Sequence, residues 1–200
     1  SSAVEANRDN CGLGERHRIA QADLTRLPFA PRQFDVVICL GVLQHTPSPE
    51  ASIAALWEQV KPGGWLVIDH YTYERRWSSI RPLFRQYLKR LPDRAAAMAF
   101  VEKLVNLYLP WHRRFRNFYP AWFLLCRLSP ITTFYRSFPQ LPEHLQREWA
   151  LLDTHDSLTD WFKHLRTKEQ IVATLRSLGG ERIWAEYEGN GVEARCQRPL

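Results

Sequence analysis

Phe34-Asp35-Val36-Val37-Ile38-Cys39-Leu40-Gly41 is the stretch that decides the fold class. Its central run is apolar without alternation, is rich in β-branched residues, and ends at a glycine. That pattern predicts a strand buried on both faces, which belongs in a parallel sheet covered by helices. Downstream, Ser48 offers an N-cap, Pro49 suits the first helical position, and Glu50 suits the positive end of the helix dipole. Ile53, Leu56, Trp57 and Val60 follow at helical spacing. Lys61-Pro62-Gly63-Gly64 stops the helix, and Trp65-Leu66-Val67-Ile68 predicts the next buried strand. The whole is a strand–helix–strand unit, for which a right-handed crossover is expected.

The far end of the chain is equally patterned. Thr167 and Gln170 fit a capping box, and Ile171, Val172, Leu175 and Leu178 supply an apolar stripe before Gly179. Ile183, Ala185 and Tyr187 alternate with polar neighbours, as do Val192, Ala194 and Cys196. Gly189-Asn190-Gly191 between them predicts an antiparallel hairpin.

Composition sets these ends apart from the middle. Of 200 residues, 45% are hydrophobic and 24% charged, with a net charge of +6, which excludes a disordered, collagenous or disulfide-scaffold protein. Between Tyr71 and Ala150 there are 14 Lys+Arg against 5 Asp+Glu, with 17 of the 25 aromatic residues and none of the nine glycines. No apolar run approaches the roughly 20 residues of a membrane span. Cys11, Cys39, Cys126 and Cys196 are widely spaced, which points to unpaired thiols and a reducing, cytoplasmic setting.

Between Ile19 and Asp69 the chain resembles the class I S-adenosylmethionine-dependent methyltransferases of the broad small-molecule type. The resemblance rests on Ala22-Asp23-Leu24, Leu27-Pro28-Phe29, Phe34-Asp35-Val36-Val37, Gly41-Val42-Leu43-Gln44-His45-Thr46 and Lys61-Pro62-Gly63-Gly64-Trp65-Leu66-Val67-Ile68, in that order and spacing. The closing helix and hairpin agree with it. It implies an α/β, Rossmann-like sheet with a C-terminal antiparallel hairpin and a helical insertion. The family's first two strands, its glycine-rich loop and its ribose-binding acid have no counterpart, so the sequence looks truncated at its N-terminus. Ser1-Ser2-Ala3-Val4 resembles a helix start, and Gly12-Leu13-Gly14 a loop.

The same resemblance implies S-adenosylmethionine as cofactor. It makes Asp23, at the end of an apparent strand Ile19–Ala22, the acceptor for the adenine amino group, with Leu24 beside it. A turn or N-cap aspartate is the competing role. Leu40, Gly41 and Val42 follow the carboxyl end of a central strand, where open α/β sheets bind ligands. His45, His70 and His155 are the candidate proton acceptors, each weighed against an ordinary structural histidine. Asp153-Thr154-His155-Asp156 lacks a recognised metal-ligand spacing and is expected in a loop or helix cap; no metal is expected.

Three segments follow: 1–70, a partial cofactor-binding core; 71–152, a basic, aromatic helical insertion acting as a substrate lid; and 153–200, completing the core. Met98, Val101, Val105 and Tyr108 mark a helix, and prolines 110, 120, 130, 139 and 142 are expected to cut the rest into short pieces. Trp111, Arg113, Arg114 and Arg116 are the candidate substrate contacts, suited to a small acceptor with apolar and anionic parts. Peripheral membrane contact is a further option, and nucleic acid is disfavoured for want of an RNA-binding signature. Two other classes stay open: a binding-only remnant of the fold, and another Rossmann-type nucleotide-cofactor enzyme.

Overall fold

The computed structural model describes residues 2–12, 14, 18–73, 80–189 and 191–200. It divides into two compact units, Ser1–Glu74 with Phe162–Leu200, and Arg75–Trp161. These boundaries differ from divisions at 70 and 152: the last segment joins the first only from residue 162.

The first unit opens with α1 (Ser2–Cys11), ended by Gly12 in the left-handed region. Its sheet contains β1 (Phe34–Cys39), β2 (Val60–Tyr71), β3 (Glu181–Glu188) and β4 (Gly191–Gln197) in the order β1-β2-β4-β3. β1 and β2 are parallel, while β4 runs antiparallel to both β2 and β3. Between β1 and β2 lies α2 (Pro49–Gln59), capped as expected by Ser48, whose Oγ accepts from Ala51 N–H. α7 (Lys168–Ser177) precedes the hairpin, and both halves of the Thr167–Gln170 capping box are formed. Asn190, at the hairpin turn, lies outside the described residues.

One face of the sheet is packed. Ile53 and Trp57 of α2 and Ile171 and Leu175 of α7 form a single buried cluster with Leu66, Ile68, Ala194 and Cys196. Strand side chains alternate between faces, so this helical layer covers Val37 and Cys39 but not their neighbours. Val36 is 50% exposed and Ile38 63%. β1 is therefore not buried on both faces; an unbroken apolar run does not reveal which face receives a cover. β2 also begins earlier than expected. The helix ends at Gln59, Phe34 pairs with Val60, and residues 61–64 bulge before pairing resumes at Val36 and Trp65. Gly64 permits this, because a Cβ there would lie 2.7 Å from Asp35 O.

No strand forms at Ile19–Ala22, where residues 18–22 carry no regular structure. A strand needs a neighbour for its N–H and C=O groups, and among the described residues only β2 borders β1.

The second unit is helical: α3 (Arg81–Leu88), α4 (Arg94–Phe115), α5 (Tyr119–Leu128) and α6 (Glu143–Thr159). Val101, Val105, Ile131, Ala150 and Leu158 belong to its buried core. Asp93 caps α4 by accepting from Ala96 N–H at 2.7 Å. Pro110 does not break α4, which continues to Phe115. The proline removes the donor for the Asn106 carbonyl, yet burial of Leu104, Val105 and Leu109 holds the turns on either side. Pro120 sits in the first turn of α5 and Pro142 at the N-cap of α6, where a missing N–H costs little. Asp153–Asp156 lies inside α6 rather than in a loop or cap.

Candidate active site

The carboxyl ends of β1 and β2 are joined by a buried carboxylate. Asp69, 7% exposed near the end of β2, accepts a hydrogen bond from the Gly41 N–H at 2.6 Å through Oδ1. Gly41 has φ +72°, with open space where a side chain would stand. A left-handed backbone favours glycine, and here it leaves the main chain between exposed Leu40 and Val42 approachable. On the open sheet face a cleft of about 680 Å³ is lined by Leu40, Gly41, Val67, Asp69, Trp184 and Glu193. The sequence marks Asp69 only as an acid directly after the apolar run Trp65-Leu66-Val67-Ile68.

Beyond Gly41 the chain turns through a 3-10 segment, Leu43–His45, closed by Thr46 Oγ1 donating to Leu43 O at 2.7 Å. His45 is half-buried; its Nδ1 lies 3.2 Å from Phe162 O, and its ring meets Tyr71 edge-on at 5.5 Å. A carbonyl oxygen only accepts, so Nδ1 is the donor and carries a proton. His70 follows the same logic, with Nδ1 at 2.8 Å from Tyr71 O. Its side chain is fully buried and its Nε2 has no hydrogen-bond partner among the described residues. Burial outweighs the backbone hydrogen bond and lowers its pKa, so the ring is neutral at pH 7.

The segment after residue 161 fastens this corner. His164 N–H donates to Gln44 O and Arg166 N–H to Tyr71 O, each at 2.9 Å. The Arg166 guanidinium bonds both carboxylate oxygens of Glu50, at 2.7 and 3.2 Å. That hydrogen bonding holds the Glu50 carboxyl below its ordinary range. The Gln44 amide is wholly buried, and neither its polar atoms nor the buried His164 Nε2 has a hydrogen-bond partner among the described residues. Arg166 lies outside every motif of the sequence, and Gln44 enters only as a member of the Gly41–Thr46 stretch.

Asp23 occupies a tight turn, with Arg26 N–H donating to its carbonyl at 2.9 Å. Its Oδ1 accepts from Thr25 N–H at 2.8 Å and Thr25 Oγ1 at 2.7 Å, which lowers its pKa. The side chain is exposed, and Leu24 packs against the core of the first unit. Asp23 thus performs the turn role, with its second oxygen facing solvent.

His155 belongs to the helical unit, buried in α6 with its pKa lowered by desolvation, whereas His45 and His70 belong to the other. Arg113 and Arg114 line a cleft of about 370 Å³ with Asn106, Pro110, Glu143 and Arg147. Arg116 instead lies 6.0 Å over the Tyr135 ring, and exposed Trp111 stacks on Phe115. Of the four predicted substrate contacts, only the two adjacent arginines share that cleft.

Residues 2–68 match the methyltransferase domain family. Over that third of its length the chain carries a methyltransferase domain. Among curated relatives, a ubiquinone biosynthesis O-methyltransferase from Thiobacillus denitrificans is 50% identical over 36 residues, 18% of this chain and 16% of that one. A tRNA U34 carboxymethyltransferase from Psychrobacter is 29% identical over 110 residues, 50% of this chain and 31% of that one. The chain thus spans less than a third of either relative. A solved SAM-dependent methyltransferase from Methanosarcina mazei aligns with all of this chain and 79% of its own, at 13% identity and TM-score 0.44. S-adenosylmethionine is the cofactor of this methyltransferase family.

Proposed function

We propose that the chain serves S-adenosylmethionine-dependent O-methylation of a small acceptor that carries an apolar body and an anionic group. The observation that carries this is His45. It follows the carboxyl end of β1, it is half-buried, and its ring is oriented by Nδ1, 3.2 Å from Phe162 O, and by its edge-on contact with Tyr71. A hydroxyl acceptor must lose a proton as its oxygen is methylated, and a positioned imidazole can take it.

When bound, S-adenosylmethionine supplies an electrophilic methyl group on a sulfonium. The chain offers partners suited to its adenosyl part: the outward oxygen of Asp23, the apolar surface of Leu24, and the approachable backbone of Leu40, Gly41 and Val42. His70 is too deeply buried to touch an acceptor and serves as a positioning residue through Tyr71. Within the helical unit, the cleft holding Arg113 and Arg114 is suited to a carboxylate or phosphate. The O-methyltransferase named among the relatives supports the oxygen acceptor.

The test is radiolabelled methyl transfer from S-adenosylmethionine to a panel of phenolic acids. Transfer should fall at least a hundredfold in His45→Gln while cofactor affinity holds. Cofactor binding without transfer to any acceptor would leave a binding-only role. Binding of NAD in place of S-adenosylmethionine would move the chain to the nicotinamide enzymes.

A further inference from the structure

α5 is mostly apolar, Tyr-Pro-Ala-Trp-Phe-Leu-Leu-Cys-Arg-Leu, and yet buries none of its ten side chains. At 100° per residue, Tyr119, Pro120, Phe123, Leu124, Arg127 and Leu128 fall on one half of the helix surface. All but Arg127 are exposed: Tyr119 by 57%, Leu124 by 55% and Leu128 by 52%. Ala121, Trp122, Leu125 and Cys126 occupy the other half and are partly covered. The helix therefore turns its bulkier apolar half outward, the reverse of an ordinary surface helix. Phe118, just before it, is 60% exposed, and Leu107 and Trp111 form a further exposed pair one turn apart on α4.

The chain through this surface is basic, with Arg113 paired to Glu143 just past it. From residue 103 to 142 there are six Lys+Arg and no Asp or Glu. The Arg127 guanidinium lies 3.4 Å over the Phe123 ring, and Arg136 lies 4.5 Å over Trp122. Aromatic faces and guanidinium groups are thus interleaved, as at a boundary between hydrocarbon and anionic headgroups. Among the described residues no helix is long and apolar enough to cross a membrane, so the surface would lie on a bilayer rather than span it.

We propose that α5 and the turn before it dock the protein on anionic phospholipid bilayers, with Phe123, Leu124 and Leu128 entering the acyl boundary and Arg127 and Arg136 meeting lipid phosphates. An apolar partner protein would not account for Arg127 and Arg136 standing over the rings of Phe123 and Trp122 in a stretch, residues 103–142, that holds six Lys+Arg and no Asp or Glu. A nucleic acid would not account for the aliphatic Leu124 and Leu128. An anionic bilayer accounts for both. The inference is independent of which acceptor is methylated.

The experiment is co-sedimentation of the 200-residue chain with vesicles of phosphatidylcholine alone, or with a quarter phosphatidylglycerol. The chain should bind the anionic vesicles, and raising salt from 0.05 to 0.5 M should weaken it by screening. Arg127→Gln with Arg136→Gln should lower the partition coefficient about fivefold per arginine. Phe123→Gln, Leu124→Gln and Leu128→Gln together should lower it at least tenfold with the circular dichroism spectrum unchanged. As a measurement that needs no variant, tryptophan fluorescence of the wild-type chain should be quenched by vesicles with brominated acyl chains. Equal binding to neutral vesicles overturns the proposal. So does a triple variant that folds and binds unchanged, tRNA binding that competes fully and survives the triple substitution, or a surface found sealed in a stable dimer that ignores vesicles.

Discussion

Asp69 Oδ1 and the Gly41 amide are 2.6 Å apart, bridging residues 28 positions apart in sequence. The bond ties the end of one parallel strand to the turn that leaves its neighbour. Because Asp69 is buried, its carboxylate is ordered at a fixed place, and the left-handed conformation of Gly41 is held from outside the loop. This contact joins the two strand ends directly, beside the loop's own Thr46 closure and the backbone bonds from His164 and Arg166.

Asp69→Ala would leave the Gly41 N–H without that acceptor. A hydrogen bond to a charged group contributes about 1.5–3 kcal/mol, so urea unfolding should show a loss of about 2 kcal/mol. Asp69→Asn, which keeps an acceptor oxygen, should lose less. An unchanged midpoint for both would show that the loop holds itself.

Gly41→Ala meets no steric neighbour, yet φ +72° strains any L side chain. The cost should be about 1–2 kcal/mol. Calorimetric titration should also show weaker S-adenosylmethionine binding, since the Cβ enters the space that the glycine leaves. Equal affinity would move the cofactor away from residues 40–42.

Acid should destabilise the helical unit through His112, which is 1% exposed and whose pKa burial lowers to about 4. A lowered histidine pKa means that the unfolded chain takes up the proton first. The stabilisation from the neutral ring is therefore complete above about pH 6.5 and is lost as pH falls toward 4. The loss approaches about 3 kcal/mol at the lower limit. His70 and His155 shift in the same direction. Urea midpoints from pH 7 to 4.5 should fall steeply in the wild type and less in His112→Gln.

Replacing Arg113 and Arg114 with glutamine should raise the Michaelis constant of an anionic acceptor while leaving S-adenosylmethionine affinity unchanged. The effect should shrink as salt rises. Arg116→Gln, whose guanidinium lies over Tyr135 instead, serves as the internal comparison and should change little. Equal effects at all three positions would point to general surface charge.

Much of the fold was written locally. The strand–helix–strand unit, the Ser48 cap, the Thr167–Gln170 box and the closing hairpin follow from apolar period, capping residues and turn glycines, which act within a few positions of themselves. The order and spacing of short motifs carried the family resemblance, and His45 was visible as a polar residue in the loop after a strand. Tertiary structure decided the rest, because burial and pairing depend on what arrives from elsewhere. Residues 18–22 form no strand for lack of a neighbour, and Ile38 is exposed because α2 and α7 cover only the other face. Pro110 is tolerated because its helix is packed along its length. Asp69 meets Gly41, and Arg166 meets Glu50, across separations of 28 and 116 residues that no local pattern encodes. Even the direction in which α5 turns its apolar half is a property of packing: the sequence supplies the side chains, and the neighbouring helices determine which of them stay uncovered.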